Sequence, residues 1–148
     1  MKCAELVEEA PEVFGEEQTD AGSIRLPGGL LGFENVTEYV LLANPEEAPF
    51  LWLNMEADPN LAFVVVEPSL VIEDYRPEIN DDDAKALKIE EQSDVMLLNI
   101  VTVQRDGTAT VKLKGPIVVN RRTGIGKQII PLNAAEFELQ YPLTAVTR

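Results

Sequence analysis

Between Gly22 and Leu143 the chain is cut into short apolar runs, each closed by proline, asparagine, aspartate or glycine. Tyr39-Val40-Leu41-Leu42-Ala43 stops at Asn44-Pro45. Phe50-Leu51-Trp52-Leu53-Asn54-Met55 stops at Asp58-Pro59-Asn60, and Leu61-Ala62-Phe63-Val64-Val65-Val66-Glu67 stops at Pro68-Ser69. Runs of this length between such breakers read as strands of an antiparallel β domain. Ser23-Ile24-Arg25-Leu26 alternates ahead of them, and Leu70-Val71-Ile72-Glu73-Asp74-Tyr75 reads as a further extended segment. Residues 93–103 hold the strongest strand signal. An Asp106-Gly107 turn follows it. Residues 109–114 then alternate, which puts Thr110, Lys112 and Lys114 on one face. Residues 115–120 and 126–130 are strands around a turn at Arg121-Arg122-Thr123-Gly124. Asn80 is a good N-cap ahead of Asp81, Asp82 and Asp83, which suits a short helix over residues 81–89 with Lys85 and Lys88 toward its end. A calcium loop does not fit there, because the acids do not alternate and Lys85 stands where such a loop needs glycine. The expected fold is mainly β: a small, closed or nearly closed antiparallel barrel in one domain, with one short α-helix.

One stretch interrupts the strands with more shape than a plain loop requires: Leu26-Pro27-Gly28-Gly29-Leu30-Leu31-Gly32-Phe33-Glu34. Proline fixes its own φ and pushes Leu26 toward extended geometry. Glycine admits positive φ and close backbone approach. The stretch is not a phosphate loop, since no Lys-Ser/Thr follows and GxGxxG is not met. On these residues alone, a hairpin connection carrying core leucines is the simpler reading. Phe33 is expected to pack inward.

The 148 residues suit one domain. Residues 1–21 carry Glu5, Glu8, Glu9, Glu12, Glu16, Glu17 and Asp20 against Lys2 alone, and read as a disordered or weakly helical acidic arm before a β domain at 22–148. No apolar run reaches the roughly 20 residues of a membrane span, and the acidic start does not suit a signal peptide. The single cysteine, Cys3, fits a reducing compartment. A cytoplasmic protein is expected. Twelve basic against 26 acidic residues give a net charge of −14, which repels nucleic acid and anionic lipid and steers basic proteins inward. Lys112, Lys114, Arg121, Arg122 and Lys127 form a basic stretch, but no aromatics are interleaved for base stacking, so it reads as a solvated face. With no histidine, Ser-His and Cys-His nucleophile pairs and His-type zinc sites are ruled out. No cofactor is expected.

Gly29-Leu30-Leu31-Gly32-Phe33-Glu34 resembles the Gly-(Leu/Ile)-Pro-Gly-Phe-Glu signature of the FliW family, with Leu31 where that family usually has proline. Pro49-Phe50-Leu51-Trp52-Leu53, Asp74-Tyr75, Ile100-Val101-Thr102-Val103, Pro116-Ile117-Val118-Val119-Asn120, Gly126-Lys127-Gln128-Ile129-Ile130 and Phe137-Glu138-Leu139-Gln140-Tyr141-Pro142-Leu143 resemble later blocks of the same family in the same order. The resemblance covers roughly residues 24–143. It implies a binding protein and not an enzyme, acting in the bacterial cytoplasm on two protein partners: flagellin, and CsrA, a basic RNA-binding translational repressor. Neither nucleic acid nor membrane is an expected direct partner, and a monomer is expected. Glu34, Asp74, Tyr75 and Asn120 are polar at the edges of apolar blocks, and with Phe33 they are the candidate partner-binding residues. For Asp74 and Asn120, ordinary loop capping is an equal reading. Two other functions suit the composition. One is a small hydrolase using carboxylates alone; the other is an acidic nucleic-acid mimic that blocks a basic protein.

Overall fold

The structure, a computed structural model, describes residues 8–9, 19–58, 60–72, 74–103 and 105–143. Four strands follow one another as an antiparallel meander: β2 (Thr19–Arg25), β3 (Glu38–Ala43), β4 (Phe50–Met55) and β5 (Leu61–Val66). A two-residue strand, β1 (Glu8–Glu9), lies on β5 opposite Leu61 and Ala62. β2 thus begins inside the stretch read as an arm, and β1 lies wholly within it; residues 1–7 and 10–18 are outside the described residues.

The longest strand, β6 (Val95–Val103), organises the other half. One of its edges pairs with β5 at Asn99 and Ile100. The opposite edge pairs first with β8 (Ile117–Asn120), along Val95 to Leu98, and then with β7 (Ala109–Val111), along Val101 to Val103. The alternating run expected over 109–114 therefore leaves the ladder soon after Val111, and Gly115-Pro116 intervene before β8 starts. β9 (Gly126–Gln128) extends the sheet beyond β8. β10 (Tyr141–Leu143), with Pro142 at its centre, extends it beyond β7. The ends of β2 and β9 meet at one parallel bridge, Arg25 with Ile125, where the Arg25 N–H donates to Gly124 O at 2.8 Å. One bridge is not a ladder, so the sheet curls like a barrel and stays open.

Alternate residues of the meander and of β6 face one core, with Leu41, Leu53, Phe63, Val65 and Ile100 among them. Val64, Val66, Val101 and Val111 point the other way into a second cluster. Ala62 to Val66 are all buried, so β5 is covered on both faces and its sequence is a continuous apolar run without alternation. The second cover includes Val71, Ile72, Tyr75 and Phe137. This corrects the extended reading of residues 70–75. Pro68 opens a 3-10 turn over Pro68–Leu70, and Ile72 N–H still donates back to Pro68 O at 2.8 Å. The segment is a lid on the sheet and not a strand of it. Tyr39 lies fully in the main core, and burial pushes its phenol up to about 12.

The helix α1 (Asp81–Ala86) starts as the sequence predicts: Asn80 Oδ1 accepts the Asp83 N–H at 2.7 Å. Its end is held by residues far along the chain. Asn120 Nδ2 donates to Leu87 O at 2.7 Å and Lys88 O at 3.2 Å, and Arg122 Nη2 donates to Lys88 O at 2.9 Å. These side chains satisfy carbonyls that a helix C-terminus leaves without partners. Asn120 was expected at the rim of a partner face, able to reach solvent. It is instead 0% exposed, with its Oδ1 accepting the Arg122 N–H at 2.8 Å. Its amide is consumed by the helix end and the following turn. In the basic stretch, three half-exposed side chains balance acids of the remainder. Arg122 grips Asp94 through two N–H donors at 3.0 and 3.2 Å, Lys127 Nζ sits 2.6 Å from Asp83, and Arg121 lies 3.8 Å from Glu67.

Asp94 also accepts the N–H groups of Glu90 and Glu91 at 3.0 and 3.1 Å. The Arg122 hydrogen bonds, and then these two, hold its carboxyl down at about 2 from an ordinary 3.8. The folded value lies below the unfolded one, so the stabilisation is present above 3.8 and is lost as pH falls from there through about 2. Unfolding midpoints in urea should fall across that window, and fall less steeply in Asp94→Asn. Equal slopes for the two proteins would show that this lock contributes nothing.

Candidate functional site

The nine-residue stretch folds as two consecutive tight turns. In the first, Gly29 N–H donates to Leu26 O at 2.7 Å, with Pro27 at the second position, where its fixed φ is preferred, and Gly29 at the fourth with φ +68°. In the second, Phe33 N–H donates to Leu30 O at 2.6 Å, and Gly32, at the third position, has φ +89°. That is the pattern of a type II turn, whose second position also favours proline. Leu31 occupies that position here, and its N–H, which proline would lack, donates to Gln128 Oε1 at 2.8 Å.

The turns sort the three apolar residues. Leu30 is fully buried, and Phe33 is half-buried with its ring edge-on to Phe63 at 5.3 Å and 86°. Leu31 is 65% exposed. It stands on an open groove of about 810 Å³ between the turn, the β7–β8 connection and the segment after β9. Ile130 and Leu139 line the same groove at 69% and 56% exposure. Three large apolar side chains are thus held out together in water, which on a small domain marks a contact surface. Lys112 and Lys114 stand on one side, and among the described residues neither is ion-paired. Glu34 stands on the rim with its carboxylate turned back on the Gly32 N–H at 3.1 Å. This bond holds it below its ordinary range. Ile130 and Leu139 were not among the candidates. The available signal was the adjacent Ile129-Ile130 pair: neighbours in an extended run face opposite sides, and here Ile129 is buried while Ile130 is out.

The remaining candidates lie elsewhere. Tyr75 lines a second groove, of about 700 Å³, that shares no lining residue with the first and also holds Glu67, Arg76 and Arg121. Tyr75 is anchored: its hydroxyl donates to Leu113 O at 2.6 Å and accepts from Asn99 Nδ2 at 3.2 Å, and its ring packs on Phe137 at 4.9 Å. Burial pushes its phenol up, and the Asn99 bond partly offsets this. Asp74 is exposed beside it with φ +61° and lies 3.9 Å from Arg76, both side chains largely in solvent. Such a pair contributes little. Asn120 reaches this region only through its neighbour Arg121. The structure therefore does not gather the five candidates on one face.

Among the described residues, carboxylate chemistry finds one pair with a raised member, Glu38 and Glu56. The Glu38 carboxylate, first as acceptor of a hydrogen bond from the protonated Glu56 and then through its like charge, pushes the Glu56 carboxyl up. Both residues are exposed, and Glu38 also lies 3.7 Å from Arg25. The perturbation comes from like charge in water, without the apolar enclosure that sets up a general acid.

The class that fold and groove define is an open, mainly antiparallel β domain with, among the described residues, one short helix, and an apolar cleft beside a double glycine turn. Residues 10–143 match the family model described as FliW protein, a reach further toward the N-terminus than residue 24. A flagellar assembly factor FliW from Leptospira biflexa is 38% identical over 120 residues, covering 79% of this chain and 78% of that protein. One from Clostridioides difficile is 39% identical over 121 residues, covering 81% and 92%. The crystal structure of a flagellar assembly factor FliW matches with a TM-score of 0.75 over 93% of each chain, at 29% identity. The chain belongs to the FliW family.

Proposed function

We propose that this protein serves flagellar assembly as a cytoplasmic, monomeric two-partner binding protein. It binds flagellin and antagonises the translational repressor CsrA, so that the flagellin level sets flagellin translation. Family membership across residues 10–143 carries this reading. The net charge of −14 supports it, since such a surface attracts a basic dimer. The exposed apolar groove supports a second partner held by contact and not by charge alone. The Glu38–Glu56 pair is too open to water to favour a hydrolase over this reading.

A competition titration tests it. Labelled CsrA is bound to this protein and flagellin is added. Displacement of CsrA is expected, and linkage requires CsrA to weaken flagellin binding by the same factor. A stable three-component complex with unchanged affinities would refute the switch.

A further inference from the structure

We infer that the groove beside the glycine turn is the docking site for an amphipathic protein segment carrying carboxylates beside its apolar side chains. Resting on the function proposed above, we assign that segment to flagellin and place CsrA on a different surface.

The inference starts from the charge of the groove. The chain as a whole carries 26 acidic and 12 basic residues. Yet the cleft lined by Leu31, Ile130 and Leu139 is flanked by two lysines free of ion pairs among the described residues. Its one acid, Glu34, stays ionised with one oxygen on the Gly32 N–H, so two positive charges stand against one negative. The net charge lining this cleft is therefore positive on a strongly negative molecule. A basic dimer gains nothing there and is drawn to the acidic remainder. An anionic membrane would be repelled by the rest of the surface. A second copy brings the same net charge of −14 against the first. What fits is a segment with apolar side chains for the cleft and carboxylates for Lys112 and Lys114.

The groove is also built to keep its shape. Gln128 accepts the Leu31 N–H and donates from Nε2 to Gly115 O at 3.2 Å, tying the turn to the β7–β8 connection. Leu31 is thus held outward by backbone hydrogen bonds and does not depend on its own burial.

Two double variants test this: Leu31→Ser with Leu139→Ser, and Lys112→Glu with Lys114→Glu. All four side chains reach solvent, so both proteins should melt with the wild type, and melting is measured first. Affinities for flagellin and for CsrA are then measured separately. The expected result is at least tenfold weaker flagellin binding in both variants, CsrA affinity unchanged in the leucine variant and not weakened in the more acidic lysine variant, and loss of flagellin-driven CsrA release. Wild-type flagellin affinity in both variants would overturn the groove assignment while leaving the two-partner function intact. Absence of flagellin binding by the wild type would instead sink the function itself. Self-association of the wild type that the leucine variant abolishes, with flagellin binding unaltered, would make the occupant a second copy and overturn the inference.

Discussion

Alanine at Gly29 is expected to destabilise the domain by roughly 2–5 kcal/mol, a large share of the stability of a domain this size. Two costs add. The backbone there has φ +68°, a region that costs any residue with a Cβ about 1–2 kcal/mol. An added Cβ would also lie 2.5 Å from both Glu34 Cα and Phe33 O, backbone atoms that cannot swing aside as a flexible side chain does. The two turns pass so close that only a residue without a side chain fits between them. Gly28 is the control. An alanine Cβ there meets nothing within 4 Å, and its φ is not positive. Gly28→Ala should leave stability unchanged or raise it by up to about 1 kcal/mol through a less flexible unfolded chain. Urea unfolding of both variants checks the contrast, and similar losses in the two would show that close passage of the turns is not what requires glycine.

Phe33→Ala should cost about 3 kcal/mol, the low end for a phenylalanine because the ring is only half-buried. The loss includes the edge-on contact with Phe63, itself fully buried in the main core. Melting and flagellin binding should be measured together. A large drop in melting temperature identifies Phe33 as the anchor that fixes the second turn to the sheet. Unchanged melting with lost binding would make Phe33 a contact residue.

The strand runs were legible because their residues report local geometry. Phe50–Met55 is the observed β4, and β3 and β5 agree with their runs to within a residue, since Pro, Asn and Asp stop them where the ladder stops. Asn80 was legible as a cap because capping is a matter of three neighbouring residues. What escaped depends on residues distant in the chain. Val71 and Ile72 have strand chemistry, but β5 needs its second face covered, and packing won over propensity. Asn120 looked like an exposed polar residue because its partners, the Leu87 and Lys88 carbonyls, lie over thirty positions earlier. Leu30 and Leu31 are identical in chemistry and opposite in fate. The turn decides between them, and neither composition nor periodicity records which one it turns outward.

Pro142 bears on what the molecule avoids. β10 ends the sheet, and an end strand offers unpaired donors and acceptors to any passing chain. Proline has no N–H, so a newcomer aligning along this three-residue strand meets a missing rung at its middle. A protein that leaves an apolar cleft exposed is thereby refused as a template for fibre growth at the β10 margin. At that margin, stickiness is left to side chains, which can discriminate, and withheld from the main chain, which cannot.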